Sequence, residues 1–212
     1  MSLDSEADRL WRAARALSEA AVTPHLPPLL FFTDPDRTPE PWIVAARLPV
    51  GAGVVYRGFG RPEAEAEAGR LRAVTRCAEV RLLIGKDADL AAAVEADGVH
   101  LPGSDTDRAS DIRHRHPDWL ITAAWHPARD PSPPNAKGLD ALIASPAFMP
   151  GGRSSAPPLG AVGLATAVAA SQLPVYALGG ITARRAGDLV QSGACGIAAV
   201  DAIVSAWGAI RT

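Results

Sequence analysis

Several residues able to do chemistry stand directly behind short apolar runs. Arg57 follows Val54-Val55-Tyr56, Lys86 follows Leu82-Leu83-Ile84-Gly85, and Asp105 lies just beyond Gly98-Val99-His100-Leu101. His126 closes the run from Leu120 to Trp125. An imidazole takes up and returns protons near neutral pH without a metal, so proton transfer is the chemistry that this position suggests. Gly179-Gly180 follows Val175-Tyr176-Ala177-Leu178, and glycines there let the backbone approach a phosphate closely. Asp201 follows Ile197-Ala198-Ala199-Val200. A carboxylate about 5 Å from a bound phosphate would cost roughly 3 kcal/mol at an effective dielectric near 20. Asp201 also reads as the N-cap of the last helix, where an acidic side chain accepts backbone N–H groups.

The other histidines carry less. His100 sits inside an apolar run and reads as a satisfied structural histidine. His114 and His116, among Arg113, Arg115 and Asp118, read as a solvated helix end, and His25, just before Pro27 and Pro28, gives no signal.

What must position these residues is an alternation of strands and helices. A first helix is expected over about residues 4–20, where Leu10, Trp11, Ala14 and Leu17 recur at helical spacing. Strands are then expected at Leu29 to Phe32, Val54 to Tyr56, Arg81 to Ile84, Gly98 to Leu101, Leu120 to Ala123, Ala141 to Ala144, Val175 to Leu178 and Ile197 to Val200. Helices are expected between most of them, at Pro62 to Cys77, Asp89 to Glu95, Thr106 to Arg115, Ala161 to Ser171 and Arg184 to Gln191. Pro127, Pro131, Pro133 and Pro134 turn the fifth crossover into a loop. The pattern favours an α/β fold, a parallel (β/α)8 TIM barrel with an extra N-terminal helix, over an open doubly wound sheet. The expected organisation is one barrel domain over residues 1–212, with 1–24 as a helical extension within it. In such a barrel ligands meet the loops after the strands, which is where the residues above stand.

Composition narrows the partners. The chain of 212 residues is 48% hydrophobic and 21% charged, with a formal net charge of −2. Without a basic cluster there is no footprint for the phosphate backbone of nucleic acid, so none is expected as a partner. Cys77 and Cys195 are the two cysteines and suit neither a zinc site nor a disulfide framework. No export signal or membrane-spanning run is read, and a cytoplasmic location is expected. A homo-oligomer is compatible with a barrel of this size, though the sequence identifies no interface.

Three segments carry a family resemblance. Ala96-Asp97-Gly98-Val99-His100-Leu101, Ala156-Pro157-Pro158-Leu159-Gly160 and Ala177-Leu178-Gly179-Gly180-Ile181 resemble the fourth strand, sixth loop and seventh strand of the thiamine phosphate synthase and thiazole tautomerase family. The resemblance runs from about residue 28 to 205. It implies an enzyme of thiamine biosynthesis that takes small phosphorylated heterocycles. The synthase joins a pyrimidine diphosphate to a thiazole phosphate and releases pyrophosphate, with Mg2+ on the diphosphate. By the same resemblance His126 is the catalytic candidate, and Arg57, Lys86, Asp105, Arg153, Gly179 and Gly180 are substrate-binding candidates.

The chain also departs from the family. Of the three polar groups that follow the synthase's second strand, Arg57 alone remains. Lys86 stands where the synthase has a magnesium carboxylate, and Asp105 matches the second carboxylate. Lys86 either fills the metal's region, pairing with Asp105 or a ligand phosphate, or is a solvated loop lysine. Pro150-Gly151-Gly152-Arg153 replaces a stretch with two hydroxyl donors, and reads either as an anion site through Arg153 and the glycine N–H groups or as a surface loop. Asp201 replaces a serine. No metal ligand set is assigned, and Mg2+ is expected only if synthase chemistry is retained. Three functions remain open: a synthase-like enzyme with a degenerate metal and diphosphate site, a metal-free tautomerase-like isomerase using His126, and a non-catalytic barrel that binds a phosphorylated ligand. Tyr56, Phe59 and Trp125 either shape an altered pocket or pack the core.

Overall fold

Short runs whose side chains are nearly all buried can be satisfied only in a sheet covered on both faces, and here they close on themselves. The computed structural model describes residues 5–58, 60–134, 137–149 and 157–208. Among these, the strands β1 (Leu29–Phe32), β2 (Gly53–Tyr56), β3 (Arg81–Gly85), β4 (Gly98–Leu101), β5 (Leu120–Trp125), β6 (Ala141–Ala144), β7 (Val175–Leu178) and β8 (Gly196–Ala199) form a closed barrel in chain order. All pairings are parallel, and β8 returns to β1 with Phe31 opposite Ala199.

Alternation along each strand divides the core. Leu30, Phe32, Val55, Leu83, Ile143 and Tyr176 belong to one cluster, which fills the barrel. Leu29, Phe31, Val54, Leu82, Val99 and Ile121 belong to the other and meet the surrounding helices. Each such fully buried side chain contributes roughly 1.5–3 kcal/mol. Tyr176 is buried whole because its hydroxyl donates to the Pro27 carbonyl at 2.6 Å.

The outer layer comprises α1 (Glu6–Ala20), α2 (Pro41–Ala45), α3 (Ala64–Cys77), α4 (Ala88–Ala93), α5 (Ala109–Arg115), α6 (Gly160–Ala170) and α7 (Asp201–Ile203). A Ser5–Asp8 capping box starts α1, and Leu10, Ala13, Ala14 and Leu17 form its buried face. Between β5 and β6 there is no helix among the described residues, as the prolines dictate.

Two expectations need correction. The regular helix foreseen from Arg184 to Gln191 is a 3-10 turn at Ala186–Leu189. Gly187 inside it and Gly193 just after (φ +76°) weaken a helix that buries little beyond Ala186 and Leu189. The helix foreseen from Thr106 splits into a 3-10 segment, Gly103–Arg108, kinked at Asp105, and α5. The short α2, with Pro41 at its start, was not foreseen. No helix among the described residues is long and apolar enough to cross a membrane.

Candidate active site

The barrel's C-terminal mouth holds two cavities, of about 580 and 640 Å3, that share one residue, Arg57. Its backbone N–H donates to Thr33 Oγ1 at 2.9 Å and its Nε to the Thr33 carbonyl at 2.7 Å, so the loop after β1 holds the guanidinium in place. Asp34 lies 3.5 Å from its Nη2. Burial lowers the pKa of Arg57, with Asp34 opposing; an arginine nonetheless stays charged in a protein.

His126, Gly179, Gly180 and Asp201 line the first cavity together with Arg57. His126 is exposed, and its Nδ1 lies 3.2 Å from the Ser145 carbonyl oxygen and 3.1 Å from Ser145 Oγ. A carbonyl only accepts while the serine hydroxyl can donate or accept, so both contacts are compatible with a proton on Nδ1 and a lone pair on Nε2, the arrangement a general base needs. Gly179 and Gly180 have φ of +99° and +63°. A Cβ on Gly180 would stand 2.5 Å from the Met149 carbonyl oxygen, so only glycine brings the chain this close to the loop after β6.

Asp201 does not act as the N-cap that its sequence position suggests. It is the first residue of α7, Val200 holds the cap position, and no side-chain cap bond forms. Instead Arg37 Nη1 donates to both Asp201 oxygens, at 3.0 and 3.2 Å, while Arg37 Nη2 donates to Asp34 at 3.1 Å. Burial opposes the Arg37 charge, and the two carboxylates outweigh it and raise the pKa. Burial likewise opposes the Asp34 charge, but its hydrogen bonds from Arg37 and the nearby guanidinium charges lower its pKa. Arg37 lines the same cavity, so the negative charge expected to repel a phosphate comes with its own cation. Sequence reading missed Arg37. The signal was present in Asp34-Pro35-Asp36-Arg37, where Asp34 Oδ1 accepts the backbone N–H groups of Asp36 and Arg37, an Asx turn.

Lys86 lines the second cavity with Arg57, Arg108, Asp87 and His100. Its φ is +69°, and its N–H donates to the His100 carbonyl at 2.7 Å. Asp105 lines neither cavity. Its carboxylate accepts from Ser104 Oγ at 2.6 Å and faces Arg108 at 3.9 Å, so it is not paired with Lys86. Arg153, Gly151, Gly152 and Phe59 lie outside the described residues. Tyr56 and Trp125 are buried packing residues: Tyr56 donates to Glu67 at 2.7 Å and Trp125 Nε1 to the Asp130 carbonyl at 2.9 Å.

The magnesium site that the resemblance implies does not fit these residues. An ammonium stands in place of one carboxylate, and the other is held by a serine and an arginine. Among the described residues no group of three carboxylate, imidazole or thiol side chains converges on a point that could hold a metal.

Comparison with known proteins gives this mouth a context. The family described as thiamine monophosphate synthase matches residues 32–203. A thiamine-phosphate synthase of Chlorobium luteolum is 33% identical over 190 residues, covering 87% of this chain and 88% of that protein. One from Methanoculleus marisnigri is 34% identical over 135 residues, covering 63% of this chain and 64% of that protein. Among solved structures, the thiamine phosphate pyrophosphorylase from Pyrococcus furiosus is similar with a TM-score of 0.70 and 27% identity, over 84% of this chain and 87% of that one.

Proposed function

The chain belongs to the thiamine monophosphate synthase family, and from that premise we propose that it is a thiamine phosphate synthase-like transferase. It joins a pyrimidine diphosphate to a thiazole phosphate: the carbon–oxygen bond to the diphosphate breaks, a carbon–nitrogen bond to the thiazole forms, and pyrophosphate leaves. The supporting observation is the gathering of Arg57, His126, Gly179 and Gly180 around one 580 Å3 cavity at the C-terminal mouth. That volume suits a small phosphorylated heterocycle. Gly179-Gly180 receives the thiazole phosphate, with Arg37 offsetting Asp201 beside it. Arg57, common to both cavities, faces the charge that builds on the departing pyrophosphate, where fixed cations lower the barrier most. No step here is assigned to magnesium. The two free cysteines, Cys77 exposed and Cys195 buried, agree with a cytoplasmic enzyme.

Incubation of the protein with both substrates, with and without Mg2+, tests the reading through the thiamine phosphate formed. Product above the uncatalysed background supports it, and none under either condition overturns it. A second reading is favoured by His126 on the first cavity with Ser145 at its Nδ1, together with the lack of a converging carboxylate set among the described residues: a metal-free isomerase acting on a thiazole phosphate. In that case thiamine phosphate does not form, whereas solvent deuterium enters the thiazole carboxylate phosphate and His126→Ala abolishes the exchange.

A further inference from the structure

The second cavity is a cationic pocket with no assigned occupant. Its lining holds Arg57, Lys86 and Arg108 against a single carboxylate, Asp87. Asp87 is itself engaged, accepting the Leu90 N–H at 2.9 Å as the N-cap of α4. Asp105 reaches Arg108 only at 3.9 Å, and Lys86 makes no ion pair among the described residues. Arg57 is shared with Asp34 at 3.5 Å, so the uncompensated charge among the described lining residues is that of Lys86.

The floor of the pocket adds a specific donor. His100 is buried in β4, opposite Thr122 of β5, and its Nδ1 lies 2.9 Å from Thr122 Oγ1. Thr122 Oγ1 has no other hydrogen-bond partner among the described residues. Its hydroxyl proton therefore has one acceptor within reach, the Nδ1 lone pair, and the ring carries its own proton on Nε2. Nε2 in turn has no protein partner among the described residues, at a side chain that lines the cavity. Burial, with Arg57 adding to it, keeps the ring neutral, so the donor persists across the physiological range. A neutral N–H donor in a cavity also lined by guanidinium and ammonium groups matches phosphate oxygens and offers no lone pair to a metal cation.

We infer that this pocket binds the diphosphate group without a metal ion, with the Lys86 ammonium and the Arg108 and Arg57 guanidinium groups supplying the charge and His100 Nε2–H a directed hydrogen bond. The inference rests on the synthase-like reading for the identity of the ligand, though not for the existence of the site. The left-handed backbone at Lys86 directs a long side chain from the end of β3, and α4 begins two residues on. A residue other than glycine is uncommon in that conformation, and the two-unit change of charge relative to a carboxylate acts directly on an anion.

The test is calorimetric titration of inorganic pyrophosphate into the protein in excess EDTA and again in Mg2+. Wild type is expected to bind in EDTA with a Kd within about threefold of that in Mg2+, since the local cations carry the charge. Lys86→Asp is expected to weaken binding in EDTA by about tenfold or more and to regain affinity when Mg2+ is added. Aspartate tolerates positive φ, and Arg108→Ala offers a second exposed variant whose fold is not at risk. Loss of wild-type binding in EDTA, or a Lys86→Asp protein that binds as tightly as wild type, overturns the inference. Thiamine phosphate synthesis alongside metal-dependent pyrophosphate binding would retain the functional reading and reject this site. Metal-free binding without synthesis would do the reverse.

Discussion

Arg37→Ala distinguishes charge compensation from loop packing at the phosphate end of the mouth. Arg37 holds the Asp201 carboxylate at 3.0 and 3.2 Å and Asp34 at 3.1 Å, bridging the loops after β1 and β8. Without it, Asp201 faces a phosphate on Gly179-Gly180 alone. With about 5 Å between the charges, the repulsion is roughly 3 kcal/mol at an effective dielectric near 20 and about 0.8 kcal/mol in bulk water. The Asp201 side chain is 65% exposed and that of Arg37 43%. Solvent screening therefore places the effect in the lower part of that range, at about 1–2 kcal/mol. In affinity for the thiazole phosphate this is about five- to thirtyfold. Calorimetric titration at low salt of wild type, R37A, D201S and the double variant closes a double-mutant cycle. R37A is expected to lose that factor, and R37A/D201S to return to within about threefold of wild type. Raising the salt should shrink the R37A deficit. The melting temperature should hardly move, because an exposed ion pair contributes about 0–1 kcal/mol to stability. A double variant that binds as weakly as R37A would refute the reasoning and make Arg37 a direct phosphate ligand.

Three further outcomes follow from the same geometry. His126→Ala is expected to lower turnover by about a hundredfold or more while leaving the Kd of the thiazole phosphate within a few-fold of wild type, as single-turnover and binding measurements would show. Gly180→Ala is expected to cost more than about 2 kcal/mol in urea unfolding, since the added Cβ meets Met149 O at 2.5 Å and Phe148 C at 2.6 Å with φ at +63°. Burial, reinforced by Arg57, lowers the His100 pKa from 6.5 to about 3. The unfolded chain then takes up that proton first on acidification. Stability is full above about pH 6.5 and declines below it by about 1.4 kcal/mol per pH unit, so unfolding at pH 5 should cost about 2 kcal/mol less than at pH 7. His100→Gln should flatten that slope, and an unchanged slope would trace it to other groups.

How far the sequence was legible depended on the range of the interactions. The strands could be read almost to the residue because a parallel barrel buries both faces, leaving uninterrupted apolar runs such as Leu29–Phe32 and Gly98–Leu101. The segment from Arg184 misled because its apolar spacing is helical, while Gly187 and Gly193 deny it a helix's stability. At the mouth, residues directly after strands could be assigned because the fold fixes where they emerge. Arg37 could not, since its contact with Asp201 joins positions 164 residues apart. Asp201 was misjudged for the same reason: local logic offered a helix cap, and a distant arginine offered a stronger partner. His100 was legible as a histidine buried in a strand, but its place on the second cavity and its contact with Thr122 follow only from the register of β4 on β5.

The two charge changes relative to the family are opposite in sign and lie on opposite sides of Arg57. Lys86 brings a cation where a carboxylate would hold metal, and Asp201 brings an anion where a hydroxyl would meet phosphate. Asp201 is tied through Arg37 and Asp34 to Arg57, in a chain of contacts of 3.0, 3.1 and 3.5 Å. Lys86 has no such tie among the described residues. An anion added to the mouth therefore finds the β8 side already neutralised and the β3–β4 side still positive. A ligand with unequal ends, one carrying more negative charge than the other, would be oriented by that difference before any contact with His126. Adding salt should then erode the pyrophosphate affinity of the second cavity more steeply than the thiazole phosphate affinity of the first. Equal salt dependence at the two sites would show that the Arg37–Asp201 pair does not balance charge as the geometry requires.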